Sequence, residues 1–414
     1  MGTGEPDLPA AREEDRTMDR NRLQLFRRTV CAVCVFALGL TLAGPAAFAA
    51  NEATPAGTEL TQAQAAEMAQ ADTALDQLLD SGSYAAMSLE ERQAAAQAQL
   101  DQLAGEGLVQ SGSIRYDEEN GMLSFAYDCG VLGGVLLTDW EDEPFVDLPL
   151  EMPEGLPGPL DAENDVRPLG NAIIYYAFDD TVNSTRYPNY LTMQEAWNGW
   201  GLSTTLDTDV TVADLRHMDD YDLCIISTHG AYYTYTTGWL FKQVRTSPVL
   251  LLREESSFWD DLRYGFDLLT HRVIKVNGNY CITPDFFSAA YRGGQLNGTM
   301  VFSETCEFFG GNNILDLSMS NALLDAGARA VVGFVNNVYA VYSRSMLWGT
   351  VNQLIMGKNI LQAVDAAAAT YGPDDIYWYL SQGGTQPHRY AAFALVHGDD
   401  TAVLYDLNES AAAA

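Results

Sequence analysis

Asp222-Leu-Cys-Ile-Ile-Ser-Thr-His-Gly230 and Met300-Val-Phe-Ser-Glu-Thr-Cys-Glu307 are two short apolar runs, each ending in a residue that can do chemistry. Neither run alternates apolar with polar, and neither is long enough for a helix. Both therefore read as strands buried on two faces, as in a sheet covered by helices on each side. Working outward, Ala172-Ile-Ile-Tyr-Tyr-Ala-Phe178, Ala328-Arg-Ala-Val-Val-Gly-Phe334 and residues 391–396 read as further strands. Helical patterns fall at 191–200, 211–216, 314–326, 343–356 and 360–370, with Gly201 and Gly327 as stops. Residues 231–297 are less regular, with β-like runs at 248–252 and 272–282. Strands alternating with helices predict an α/β domain over 169–410 with a mostly parallel central sheet.

Sites in such sheets lie beyond the C-terminal strand ends, where His229 and Cys306 stand. A thiolate nucleophile needs an acid–base partner within hydrogen-bond reach, and neighbouring strand ends supply it. Gly230 leaves its backbone N–H clear to face an oxyanion together with the N–H of Cys306. Gly310-Gly311 lets the chain turn closely after the cysteine.

An apolar strand ending in His-Gly, followed by one ending in Cys, resembles the caspase-like (clan CD) cysteine peptidases, nearest in pattern to gingipain and CHAT-type domains. Ala322-Leu-Leu-Asp-Ala-Gly-Ala-Arg-Ala-Val-Val-Gly-Phe334 and Met356-Gly-Lys-Asn-Ile-Leu-Gln-Ala-Val364 are similar to the units that follow the cysteine there, and His397-Gly-Asp-Asp400 to the Gly-Asp-Pro near the end. The resemblance covers about residues 170–405. It implies a caspase-like three-layer sandwich, with Cys306 as nucleophile, His229 as acid and base, and Gly230 and Cys306 as oxyanion donors. It implies no cofactor. Glu304, two positions before the cysteine, implies a pocket carboxylate favouring Arg or Lys at P1, or else a residue that only shapes the loop. The chain departs from the family in two places. His229 and Cys306 are 77 residues apart, which implies an insertion at 231–297, and Glu-Phe-Phe-Gly follows Cys306. The second departure supports an alternative, a binding module that kept the fold without turnover. A third reading is an amidase or transpeptidase using the same thioester chemistry.

Upstream, 58–80 and 88–106 read as amphipathic helices, the second opened by a Ser88/Glu91 capping box. Two alternating runs flank Asn120-Gly121, a hairpin signal, and 131–137 suggests another strand. Residues 50–138 thus form a small α+β unit, either a pro-segment or a permanent accessory. Residues 139–168, acidic and rich in proline, read as an extended linker. Residues 1–49 read as a signal peptide: Arg20, Arg22, Arg27 and Arg28, an apolar run over 30–43, then Ala47-Phe48-Ala49 as cleavage site. Export to the outside of the cell follows, with no stable membrane insertion once the leader is gone.

The net charge is −34, and the leader carries six basic and six acidic residues, so its removal leaves that balance unchanged. Such a surface repels nucleic acid and anionic membranes, suits an extracellular protein that must stay soluble and would attract basic peptides; a peptide or protein substrate is what the resemblance implies. Four cysteines remain after the leader, too few for a disulfide scaffold. Cys224 reads as packing; Cys129 and Cys281 are either a disulfide or two free thiols. The remaining histidines, 217, 271, 388 and 397, read as surface or structural. The acidic pairs Asp179-Asp180, Asp219-Asp220 and Asp374-Asp375 are where calcium would bind, as in some bacterial relatives, but no EF-hand pattern surrounds them and solvated turns are the simpler reading.

Overall fold

A computed structural model describes residues 59–137, 169–178, 180–237, 243–312, 314–381 and 390–404. The leader over 1–49, the linker over 139–168, Asp179 and His388 lie outside the described residues. In chain order, helices α1 (Gln62–Leu79), α2 (Gly82–Ala85) and α3 (Leu89–Gly105) precede strands β1 (Arg115–Asp117), β2 (Met122–Ala126) and β3 (Leu132–Leu136). Ser88 and Glu91 close the expected capping box on α3. Gly121 takes φ 58° in the β1–β2 turn, a conformation that favours glycine.

Strand β4 (Asn171–Tyr176), helix α4 (Asp180–Gly199), β5 (Ser203–Asp207) and β6 (Leu223–Ser227) follow. Helix α4 starts eleven residues earlier than the pattern suggested, and 211–216 forms only a 3₁₀ turn at Asp214–Arg216. The stretch 231–297 is ordered: β7 (Gly230–Thr237), β8 (Gln243–Glu255), α5 (Phe258–Arg263), α6 (Gly265–Leu269), the hairpin β9 (Val273–Val276) and β10 (Asn279–Ile282), then α7 (Pro284–Ala290). The chain ends with β11 (Met300–Ser303), α8 (Ser318–Asp325), β12 (Ala330–Val335), α9 (Ala340–Ile355), α10 (Ile360–Tyr371), α11 (Ile376–Ser381) and β13 (Phe393–Gly398).

Thirteen strands form two sheets among the described residues, giving a mixed α/β protein. One sheet has the order β13-β12-β11-β6-β4-β5; all its pairs are parallel except β12–β13. Its inner strands β4, β6, β11 and β12 are apolar on both faces because both faces are covered. Ala172, Ile174, Leu223, Ile225, Met300, Phe302, Val332 and Phe334 pack toward α4, α9 and α10. The alternate residues Ile173, Tyr175, Cys224, Ile226, Val301 and Val331 pack into a second core with α7 and α8.

The other sheet has the order β1-β2-β3-β9-β10-β8-β7, antiparallel except for β3 with β9. The α+β unit read upstream is therefore not a sheet by itself: β1–β3 share one sheet with the four strands of 230–282. The two ends of this sheet also approach each other. Ser124 Oγ donates to Thr234 O at 2.6 Å and the Tyr233 hydroxyl to Gly133 O at 2.8 Å, so the sheet curls around its own core of Met122, Leu132, Val249, Ile274 and Cys281. Gly133 and Gly134 admit the crowded rings: a Cβ at 133 would stand 2.5 Å from Phe125. On the outer face, Lys275 pairs with Asp72 of α1 at 2.5 Å and Asp261 of α5 at 2.8 Å, with Tyr127 and Tyr280 hydroxyls completing the carboxylates. Cys129, Cys224, Cys281 and Cys306 are all free thiols. Among the described residues no helix is long and apolar enough to cross a membrane, and no group of three His, Cys, Asp or Glu could hold a metal ion.

Candidate active site

The apolar run of β6 ends at Ser227, and that of β11 at Ser303. The two strands are neighbours, parallel, with Ser303 opposite Ile226. The pairing continues past the strand ends, since Glu304 N–H donates to Ile226 O at 2.8 Å. Counting on, Cys306 comes level with His229. Both follow the parity of Leu223 and Met300 and so face the α4/α9 side. Cys306 packs against that core, and the His229 ring meets Phe178 edge-to-face with centroids 5.0 Å apart. Both residues are half-buried, and His229 Nε2 is itself shielded from solvent.

At His229 the chain leaves one sheet for the other, because β7 begins at Gly230. The Leu251 N–H donates to His229 O at 2.9 Å, which makes Gly230 and Leu250 a non-hydrogen-bonded pair of the β7–β8 ladder. The Gly230 N–H therefore points away from β8. A Cβ on Gly230 would lie 2.3 Å from Cys306 O, so only glycine allows this approach without moving backbone. Tyr232 stands two residues on with the same orientation, opposite Pro248, which has no N–H to give to the ladder. Its backbone lies near enough to the Glu307 carboxyl to oppose the rise of that group's pKa. The outer edge of β7 is thus laid along the loop that carries Cys306.

That loop is tightly built. Glu307 has φ 54°, a left-handed conformation costing a non-glycine residue roughly 1–2 kcal/mol. Two interactions offset it: its N–H bonds Asn336 O at 3.0 Å, and its carbonyl accepts the Gly310 N–H at 3.0 Å. Burial pushes the Glu307 carboxyl up to about 7, the Tyr232 amide opposing and Glu119 and Asp117 adding to the rise. Glu119 reaches this loop directly, accepting from Asn312 Nδ2 at 2.6 Å. Phe308 and Phe309, the residues that depart from the family pattern, are core side chains.

Glu304 precedes Cys306 by two positions on the same face and is buried. Its carboxylate accepts from the Ser227 hydroxyl at 2.5 Å, from Tyr190 of α4 at 2.9 Å and from Ser343 of α9 at 3.1 Å. Burial raises its pKa; the three hydroxyls and Arg344 oppose the rise. A buried carboxylate is tolerated only when so satisfied. In this arrangement Glu304 braces the two strand ends against α4 and α9.

The structure thus brings His229, Gly230 and Cys306 together, with the buried Glu304 two positions before the cysteine. Sequence reasoning missed Phe178, Val338 and Asp375. Val338 lies against the sulfur: its N–H is 3.4 Å from Cys306 Sγ and its carbonyl 3.5 Å. Asp375, expected in a solvated turn, is completely buried; the bulky Ile376-Tyr-Trp-Tyr that follows it was the available signal. Asp219 and Asp220 are in a surface 3₁₀ turn as expected, and His397 is half-buried with Nδ1 2.9 Å from Ser320 Oγ. Compared with known proteins, the chain matches no protein-family model and no curated protein.

Proposed function

We propose that this chain is an exported cysteine endopeptidase of the caspase-like type. The observation that carries the reading is the approach of Gly230 to Cys306 at adjacent strand ends, with the Gly230 N–H turned out of its ladder. The six-stranded sheet, five strands parallel and helices on both faces, supports the three-layer architecture that the motifs imply. In the reaction, the Cys306 thiolate attacks the scissile carbonyl carbon. The carbonyl oxygen becomes an oxyanion held by the N–H groups of Gly230 and Cys306. His229 gives its proton to the departing amine, leaving a thioester on Sγ. Water then adds, His229 takes its proton, and the acid product leaves as the Cys306 thiolate and the protonated His229 are restored. No metal or organic cofactor takes part in these steps.

A preference for Arg or Lys at P1 rests on the charge of Glu304. Because that carboxylate is already shared by three hydroxyls, the bracing role accounts for its bonds as they stand. Hydrolysis of Arg and Lys peptide reporters beside Asn and Asp ones measures the preference. The test of the main reading is Cys306→Ala, which is expected to lose all hydrolysis of whichever reporters the wild type cleaves.

A further inference from the structure

Away from the strand-end site, Lys275 is the meeting point of three elements. Its side chain, on β9, is 1% exposed. Its Nζ donates to Asp72 Oδ2 of α1 at 2.5 Å and to Asp261 Oδ2 of α5 at 2.8 Å. A tyrosine hydroxyl takes the other oxygen of each carboxylate: Tyr127 donates to Asp72 Oδ1, and Tyr280 to Asp261 Oδ1 at 2.9 Å. The Tyr127 ring also faces the amine, its centroid 5.6 Å from Nζ. A small cavity lined by Asp72, Leu75, Asp76, Tyr127 and Lys275 adjoins the pair, and Asp261 does not line it.

One carboxylate would suffice for an ion pair. A second leaves a negative charge uncompensated where taking ions out of water is costly. The two carboxylates are also unlike. Asp72 is nearer the amine, borders the cavity and has a side chain 15% exposed, whereas Asp261 is 1% exposed. Burial raises the pKa of Asp261, with Lys275 and Tyr280 opposing the rise. For Lys275, burial works against the charge, and Asp72 and Asp261 outweigh it, so the amine keeps its proton at rest. An ammonium against one carboxylate, with a second carboxyl set apart by deeper burial, is an arrangement in which one acid can react and the other can carry protons.

We propose that Lys275 and Asp72 condense into an isopeptide bond that joins β9 to α1, with Asp261 carrying the protons. The pair already holds every atom the reaction needs. The ammonium gives up a proton, and the freed Nζ lone pair attacks Asp72 Cγ, one bond behind the oxygen that Nζ touches. The charge that develops on Oδ1 meets the Tyr127 hydroxyl. The Cγ–Oδ2 bond then breaks, and Oδ2 leaves into the cavity as water. Of the three ammonium protons, one stays on the amide nitrogen and two leave with that oxygen; Asp261 takes one from nitrogen, passes it to Oδ2 and ends as it began. Free amines and acids do not stay condensed in water. Here contact gives an effective concentration on the order of 10⁵ M or more, and burial excludes the water that would reverse the step. The product replaces two buried charges by a neutral amide. It ties the N-terminal segment to the curled sheet, a tie that no disulfide makes among the described residues.

The test is the intact mass of the purified chain, followed by tryptic mapping that also reads its termini. The wild type is expected to be lighter than its sequence by the mass of one water. Trypsin should leave the bond after Lys275 uncut, and the peptides carrying Asp72 and Lys275 should run as one branched species. Asp261→Asn keeps an oxygen for the Tyr280 hydroxyl but cannot take up the proton, and the folded variant is expected at full sequence mass. If it does not fold, the wild-type mass alone decides. A wild type at full mass that trypsin cuts after Lys275 overturns the proposal. So does a bridge from Lys275 to Asp261, or complete bridging in folded Asp261→Asn. None of these readouts needs turnover. A bridged chain that cleaves no peptide counts against the peptidase reading alone, and an unbridged chain that cleaves peptides counts against this proposal alone.

Discussion

The six-stranded sheet and the seven-stranded sheet solve burial differently, and the candidate site lies where one hands the chain to the other. In the parallel sheet the inner strands β4, β6, β11 and β12 are apolar on both faces, and the candidate site residues appear only past the strand ends. In the curled sheet one face closes on a small apolar core, and the other carries a buried Lys275 between two carboxylates. Strand β7 starts at the residue after His229, so the curled sheet sets the position of half of the site. Residues 59–137 supply three of its strands and the Asp72 partner of Lys275. This makes the N-terminal segment a structural part of the fold: its removal would leave Lys275 and the β9 edge bare.

Four substitutions separate the two sheets. Lys275→Ala leaves the buried Asp261 and the half-buried Asp72 facing each other without a cation. A loss of about 3 to 5 kcal/mol is expected, read from urea unfolding. A loss below about 1 kcal/mol would mean the network does not pin the helices to the curled sheet. Gly230→Ala pushes Cys306 O out of the way, and a displacement near 1 Å at a reacting centre costs on the order of 10²-fold in rate. Reporter hydrolysis should fall that far while the fold survives, and wild-type turnover would break the link between the sheets.

Glu307 gives a pH-dependent test. Its folded carboxyl sits at about 7 against an ordinary 4.5, mainly through burial. The folded chain then binds this proton more tightly than the unfolded one. Stability from this group is greatest below 4.5, falls as pH rises to 7, and stays low above it, a span of roughly 3 kcal/mol. Glu307→Gln removes the charge and should melt higher than wild type at pH 8, with no advantage at pH 4.5. A constant difference at both pH values contradicts the assignment. Ser124→Ala loses only the bond to Thr234 O that draws the sheet ends together. About 1 kcal/mol is expected, visible as faster amide exchange in β7 than in β6.

The parallel sheet was legible, except for its polar edge strand β5, because its other strands are short apolar runs with the candidate site residues at the ends of two of them. His229, Gly230 and Cys306 could be placed from Asp222-Leu-Cys-Ile-Ile-Ser-Thr-His-Gly230 and Met300-Val-Phe-Ser-Glu-Thr-Cys-Glu307 alone. The curled sheet was not. Gly133 pairs with Lys275 across 142 positions, and no local pattern announces such a pairing. Strand β7, Gly-Ala-Tyr-Tyr-Thr-Tyr-Thr-Thr, has no clean alternation because one face meets the sheet core and the other the Cys306 loop. Asp375 follows Gly-Pro-Asp, which reads as a surface turn; its burial comes from amides contributed by α9 and α11, which only the fold brings near.

The most direct measurement compares mature wild type with Cys306→Ala, using a peptide probe that alkylates a reactive thiol and a peptide reporter in parallel. The proposed peptidase chemistry predicts one covalent adduct, mapped to Cys306, and loss of both adduct and hydrolysis in the variant. Hydrolysis that persists in Cys306→Ala, or a folded wild type that forms no adduct at Cys306, would contradict it.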